Sequence, residues 1–196
     1  MTRSSPSGQS VTEFALVVPI LLLILLTVSD FGRYFAASIS LESMARTAAE
    51  VAAQEFVQEY AADPLATPSY ALIHKTAWQS VCDEGHDLPN MTPGSGGNEC
   101  SDLPTMVCVH DGVDPTCGAV YNDGGSLPPA QCGALQPGAA PAPTRDSQAH
   151  VYVEVRVCYR FSSFFQLTIP FFDISLTPLS GDFYIERARQ FTVADY

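Results

Sequence analysis

Basic residues are scarce in this chain: nine lysines and arginines stand against 21 aspartates and glutamates, for a formal net charge of −12. That balance lacks the basic footprint of a nucleic-acid binder, so no nucleic acid is expected as a partner. Between Asp63 and Asp146 the bias sharpens, with ten acidic residues against Lys75 and Arg145. Catalytic signatures are missing as well. The sequence has no Gly-x-Ser-x-Gly, no Walker loop, no dinucleotide fingerprint and no His-Glu-x-x-His. It reads as a non-enzyme with no cofactor and no catalytic residues. Helix breakers are absent too over one long stretch, from Arg33 to Asp63-Pro64.

What is present begins with an apolar run. From Val11 to Val28, Glu13 is the sole ionisable residue. As a helix these residues would reach about 27 Å, close to the roughly 30 Å hydrocarbon core of a bilayer. Pro19 removes one backbone hydrogen bond and predicts a mild kink, which membrane helices tolerate. Arg3 and the initial amine lie on the near side, while Asp30 and Arg33 cancel on the far side. This positive-inside bias predicts a cytoplasmic N-terminus and an extracytoplasmic C-terminal region. A secretory signal peptide is the rival reading, since Phe35-Ala36-Ala37-Ser38 offers small residues for cleavage. Against it stand a lone basic residue, Glu13 in the apolar stretch, and the length of the run.

The helical pattern continues beyond the run. Leu41, Met44, Ala45, Ala48, Ala49, Ala52 and Phe56 share one face, while Glu42, Arg46, Glu50, Gln54 and Gln58 take the other. Glu42 with Arg46 and Arg46 with Glu50 are spaced for i,i+4 ion pairs. One continuous helix is therefore expected from Ser10 to about Ala61. Its first half is a lipid anchor and its second half an amphipathic extension that needs a cover.

Glu13 is the unusual feature of the anchor. An aspartate at mid-bilayer costs roughly 2.5–3.5 kcal/mol on insertion scales, and less near an end. Either the carboxylate meets a counter-charge, or it reaches the headgroups or stays protonated.

The opening Gly8-Gln9-Ser10-Val11-Thr12-Glu13-Phe14, followed by Ala15-Leu16, Pro19, a Leu-rich run and Asp30-Phe31-Gly32-Arg33, resembles the type IV pilin superfamily. Within it, the spacing is similar to the TadE-like proteins of the tight-adherence (Tad) pilus, pseudopilins or minor pilin-like components. The resemblance implies a leader at 1–8, cut between Gly8 and Gln9 by a prepilin peptidase, with Glu13 fifth in the mature chain. It also implies that Glu13 and Phe14 serve assembly and register, with the new Gln9 amine as counter-charge for Glu13. The implied partners are that peptidase, other pilin or pseudopilin subunits, the inner-membrane assembly platform and membrane lipid. The alternative is a membrane-anchored extracellular binding or adhesion module with an ordinary single-pass anchor.

Beyond the helix, residues 62–196 are expected to form an extracytoplasmic α+β domain with a small antiparallel sheet. Ser69 is placed to cap a second helix, about Tyr70 to Ser80, burying Leu72, Ile73 and Ala77 with Trp78 at an edge. A loop region rich in Cys, Pro and Gly follows at 82–147. Strands are expected at Thr105–His110, Val151–Phe161 and Phe183–Val193. On Val151–Phe161 the odd positions form an apolar face, and Tyr152, Glu154, Arg156, Cys158 and Arg160 form the other. The aromatic stretch around Phe164-Phe165, Ile169 and Phe171-Phe172 is expected to join the core or contact a helix.

Six cysteines, Cys82, Cys100, Cys108, Cys117, Cys132 and Cys158, all follow the apolar run. Their even number in a small acidic region points to disulfides and an oxidising compartment. Connectivity is open, with a Cys108–Cys158 bridge preferred. A zinc site from Cys82, His86, Cys108, His110 and Cys117 is disfavoured because the spacing fits no standard knuckle, so no metal is expected. Asp111-Gly112-Val113-Asp114 and Asn122-Asp123-Gly124-Gly125 read as turns rather than calcium loops.

Overall fold

A computed structural model of the chain describes residues 7–62, 68–89, 91, 102–110, 115–120, 128–136, 139, 151–163, 167–169, 174–176 and 182–193. The first element is the helix α1, Ser7–Ala62, with Pro19 inside it. It is followed by α2, Tyr70–Gly85. The strands are β1 (Thr105–His110), β2 (Pro115–Val120), β3 (Tyr152–Ser162), β4 (Leu167–Ile169), β5 (Ile174–Leu176) and β6 (Asp182–Thr192). The class is α+β, as the sequence predicts. Two compact units divide the chain: one holds residues 1–36 with 163–181, the other 37–162 with 182–196.

In the larger unit a four-stranded antiparallel sheet runs in the order β2-β1-β3-β6. Because side chains alternate along a strand, each face of this sheet has its own chemistry. Val153, Val155, Val157, Tyr159 and Phe161 of β3 lie on the first face with Val107 and Val109 of β1, and all are buried. The helices cover this side. Ala37, Leu41, Met44, Ala45, Ala48, Ala49, Ala52, Ala53 and Phe56 of α1 are buried. α1 is tied to β6 through Glu42, which pairs with Arg187 and Arg189, and through Ser38, whose Oγ accepts a hydrogen bond from Arg187. The helix α2 lies against β1 and β2. A Cβ at Gly85 would run into Leu103 Cδ1 and come within 3.2 Å of Met44 Sδ. Any larger residue there would force the Leu103 side chain to move.

Details of the helices differ from expectation. Arg46 does bond Glu50 at 3.1 Å, but Glu42 turns to the sheet arginines instead of Arg46. α2 runs to Gly85, five residues past the expected end, because Val81 and Cys82 continue its buried stripe. Leu72 is exposed and Trp78 is buried, the reverse of the expected placement. Ser69 occupies the N-cap position without a side-chain cap; its N–H donates instead to Glu59 Oε2 at 3.4 Å.

The second face of the sheet is buried as well, against the loop 128–136. Cys132 is joined to Cys158 across this layer, with a Cα–Cα distance of 6.0 Å. Met106, Cys108, Cys132, Leu135 and Cys158 form one cluster, with Ala134 and Tyr184 packed on it. Cys108 pairs with Cys117, directly opposite on β2, at a Cα–Cα distance of 4.0 Å. The expected Cys108–Cys158 bridge is therefore wrong. Residues 108 and 158 sit on neighbouring strands, but Cys158 is out of register with Cys108, which faces Glu154 on β3 and Cys117 on β2. Cys82 is disulfide-bonded, and no cysteine among the described residues is free. Cys100, the calcium-like stretches 111–114 and 122–125, and Phe164, Phe165, Phe171 and Phe172 lie outside the described residues.

In the smaller unit β4 and β5 pair as an antiparallel hairpin, Leu167 opposite Leu176.

Candidate functional site: the N-terminal helix and its outer end

Eighteen-residue windows of α1 reach a mean hydropathy of 2.6, and none of that window is buried within the chain. The helix is long and apolar enough to cross a membrane. Exposed Val11, Phe14, Leu16, Val17, Ile20, Leu21, Leu22, Ile24, Leu25 and Val28 surround the helix, leaving no polar side for water. Such all-round apolarity marks a buried or membrane helix. Thr27 keeps its hydroxyl satisfied locally, donating to the Leu23 carbonyl at 2.8 Å. Gly8 and Gln9 fall within the first turn of α1 as it begins at Ser7. Glu13 follows one turn later, exposed, with Phe14 beside it and also exposed.

The C-terminal end of the apolar run carries an arrangement that charge counting alone missed. Asp30 is only 3% exposed. Its Oδ1 accepts from Arg33 Nη1 at 3.2 Å, and its Oδ2 accepts from the Ser163 hydroxyl. Two donors thus hold a carboxylate out of water, which satisfies the rule that buried charge must be paired and bonded. The i,i+3 spacing of Asp30 and Arg33 was a legible signal; Ser163, more than a hundred residues on, was not. Next to it along the helix, Phe31 and Phe35 meet edge to face with centroids 4.6 Å apart, and Tyr34, one turn after Asp30, lies 6.1 Å from Phe35.

A second polar group lies inside the larger unit. Glu154 is 1% exposed and Arg156 5%. Arg156 Nε donates to Glu154 Oε1 at 2.7 Å and Nη1 to the Ala134 carbonyl at 2.8 Å. Ala134 N–H in turn donates to Glu186 at 3.2 Å. His110 Nε2 stands 3.7 Å from Glu154 Oε2, and its ring stacks on Tyr152 at 3.9 Å. Burial, and then the Glu154 charge, raise the Tyr152 phenol above its ordinary pKa. Cys108, His110 and Glu154 are close enough to hold a metal, as are Cys132, Cys158 and Glu186. Every sulfur in both groups is committed to a disulfide, and a disulfide has no thiolate to offer a metal. His86, from the disfavoured zinc set, is exposed and engaged with Asp83 and Asp87. This network serves to pin loop 128–136 to the sheet.

The helix, by contrast, bears a family signature. Residues 8–50 match the TadE-like protein family. The TadE-like segment opens at Gly8 and runs through Glu13, the apolar run, the Asp30–Arg33 pair and the first turns of the amphipathic half. It covers less than a quarter of the chain, leaving the sheet and its disulfides outside the match. No curated protein and no solved structure matches the chain.

Proposed function

We propose that this protein is a pilin-like subunit, a pseudopilin or minor pilin, of a tight-adherence type pilus, cut after Gly8 by a prepilin peptidase. The observation that carries the reading is the TadE-like match opening at Gly8, with Glu13 fifth after the cut. Cleavage creates an α-amine on Gln9, whose ordinary pKa near 7.7–8 leaves it mostly cationic at neutral pH. In a stack of staggered helices that amine is the counter-charge for the Glu13 of a neighbour. In low dielectric such a pair acts as a register device, because a carboxylate left alone there is strongly disfavoured. The helix stays anchored in the cytoplasmic membrane with the leader inside. The disulfides of the sheet domain support its placement on the oxidising side. Its partners are then the peptidase, other pilin-type helices and the assembly platform.

Mass spectrometry of the mature N-terminus tests this directly. Gln9 with a free or methylated amine is the expected first residue; cyclisation to pyroglutamate would leave the cleavage standing and overturn the role of its amine as counter-charge for Glu13. Met1, Thr2 or a residue near Ser38 would overturn the proposal. Glu13→Ala should abolish assembly into pili while membrane insertion and the disulfide-bonded fold persist.

A further inference from the structure

We infer that the Phe31–Tyr34–Phe35 cluster is a lipid-headgroup anchor that fixes how deep the helix sits, placing the outer edge of the hydrocarbon at Phe35 rather than at Val28. The inference rests on the reading that α1 spans a membrane, and it adds where the bilayer lies along it.

The observations are confined to the smaller unit. Phe31 and Phe35 are 55% and 49% exposed although they are large, apolar and one helical turn apart. By the 100° step of a helix they continue the stripe of Leu21, Ile24 and Val28, which belongs to the apolar run itself. A stripe continuous with lipid-facing residues is covered by the same solvent, lipid. Aromatic rings are the side chains enriched where the acyl region meets the headgroups. Asp30, the residue that would forbid this depth, is already bonded by Arg33 and Ser163 within the unit. Polar groups satisfied inside the protein are what bilayer depth demands.

A consequence follows for Glu13. A span of about 20 residues matches the hydrocarbon thickness, and counted back from Phe35 it starts near Leu16. Glu13 then lies about one turn beyond the hydrocarbon, at the cytoplasmic headgroups, where the peptidase and the Gln9 amine can both meet it. The apolar run read by composition alone, Val11–Val28, would have kept the carboxylate inside.

Depth-dependent fluorescence quenching tests the assignment. The chain has one tryptophan, so Trp78→Phe gives a dark background. Leu22→Trp, Phe35→Trp and Ser43→Trp are each placed in it, and the full-length protein is reconstituted into phosphatidylcholine–phosphatidylglycerol vesicles. Phe35→Trp is expected to lose most intensity to lipids brominated close to the headgroup. Leu22→Trp should lose most to lipids brominated deep in the chain, and Ser43→Trp should respond only to aqueous iodide. Iodide quenching at Phe35→Trp with deep quenching at Leu22→Trp would overturn the anchor and leave the membrane span standing. Iodide quenching at Leu22→Trp would overturn the span itself. Shielding of Phe35→Trp from lipid and iodide alike would mean that a second helix covers the cluster, and would also overturn the anchor. Should Trp78→Phe impair folding, the same substitutions read as difference spectra over the native Trp78, which is buried.

Discussion

The ion pair between Glu154 and Arg156 makes a demanding test of how the sheet domain is held together. Both side chains are withdrawn from water, and Arg156 also supports the Ala134 carbonyl. Removing one member leaves the other as an uncompensated buried charge, a loss of about 3–5 kcal/mol. At about 2–4 °C per kcal/mol for a unit of this size, Glu154→Gln should lower the melting temperature by roughly 6–20 °C. Replacing both, as Glu154→Leu with Arg156→Met, removes the stranded charge along with the pair. The double variant should therefore be more stable than Glu154→Leu or Arg156→Met alone, which requires a coupling energy at least as large as a single cost, about 3–5 kcal/mol in a double-mutant cycle. Near-UV circular dichroism of the full chain in detergent micelles, disulfides intact, follows the unfolding. If Glu154→Gln costs less than about 1 kcal/mol, or if the two single costs simply add, the pair does not organise the loop layer and the reasoning fails.

His74 supplies a pH dependence. It is 7% exposed, its Nε2 has no hydrogen-bond partner among the described residues, and burial lowers its pKa from 6.5 to about 4. The unfolded chain thus binds a proton that the folded chain resists, so stability is full above pH 6.5 and falls as the pH drops towards 4. The loss is on the order of 3 kcal/mol at most, and His74→Leu should flatten that part of a stability-against-pH curve measured by urea unfolding. The disulfides should rank by loop length. Replacing Cys132 and Cys158, 26 residues apart, should cost about 3.5 kcal/mol on the chain-entropy account, against about 2.6 kcal/mol for Cys108 and Cys117, 9 residues apart. Urea midpoints of the two double-alanine variants check the order.

Much of the fold was legible wherever a period repeats many times. α1 announces itself by an unbroken apolar run followed by Leu41, Met44, Ala45, Ala48 and Ala52 at helical spacing, and the structure extends it only to Ser7 and Ala62. β3 announces itself by five alternating apolar positions, and Phe183–Val193 and Thr105–His110 fall within a residue of the observed strands. β2 was missed because Pro115-Thr116-Cys117-Gly118 has turn composition; what makes it a strand is its pairing with β1 and the bond from Cys117. The burial of Glu154 and Arg156 was equally hidden. Their alternation with valines reads as a half-exposed strand, and the loop 128–136 that covers them is irregular, with no period to detect. The candidate site followed the same division. The Gly8-to-Glu13 spacing and the Asp30–Arg33 pair are local in sequence, whereas Ser163 reaches Asp30 only through the fold.

The tie between the sheet and the helix joins opposite ends of the polypeptide. Ser38 and Glu42 are made early, and the arginines that engage them, Arg187 and Arg189, belong to the last strand delivered. Until β6 arrives, Ser38 and Glu42 are without these partners. A chain cut short by a dozen residues would lack both arginines and with them every one of these ties, so the hold of the sheet on the helix depends on the far terminus.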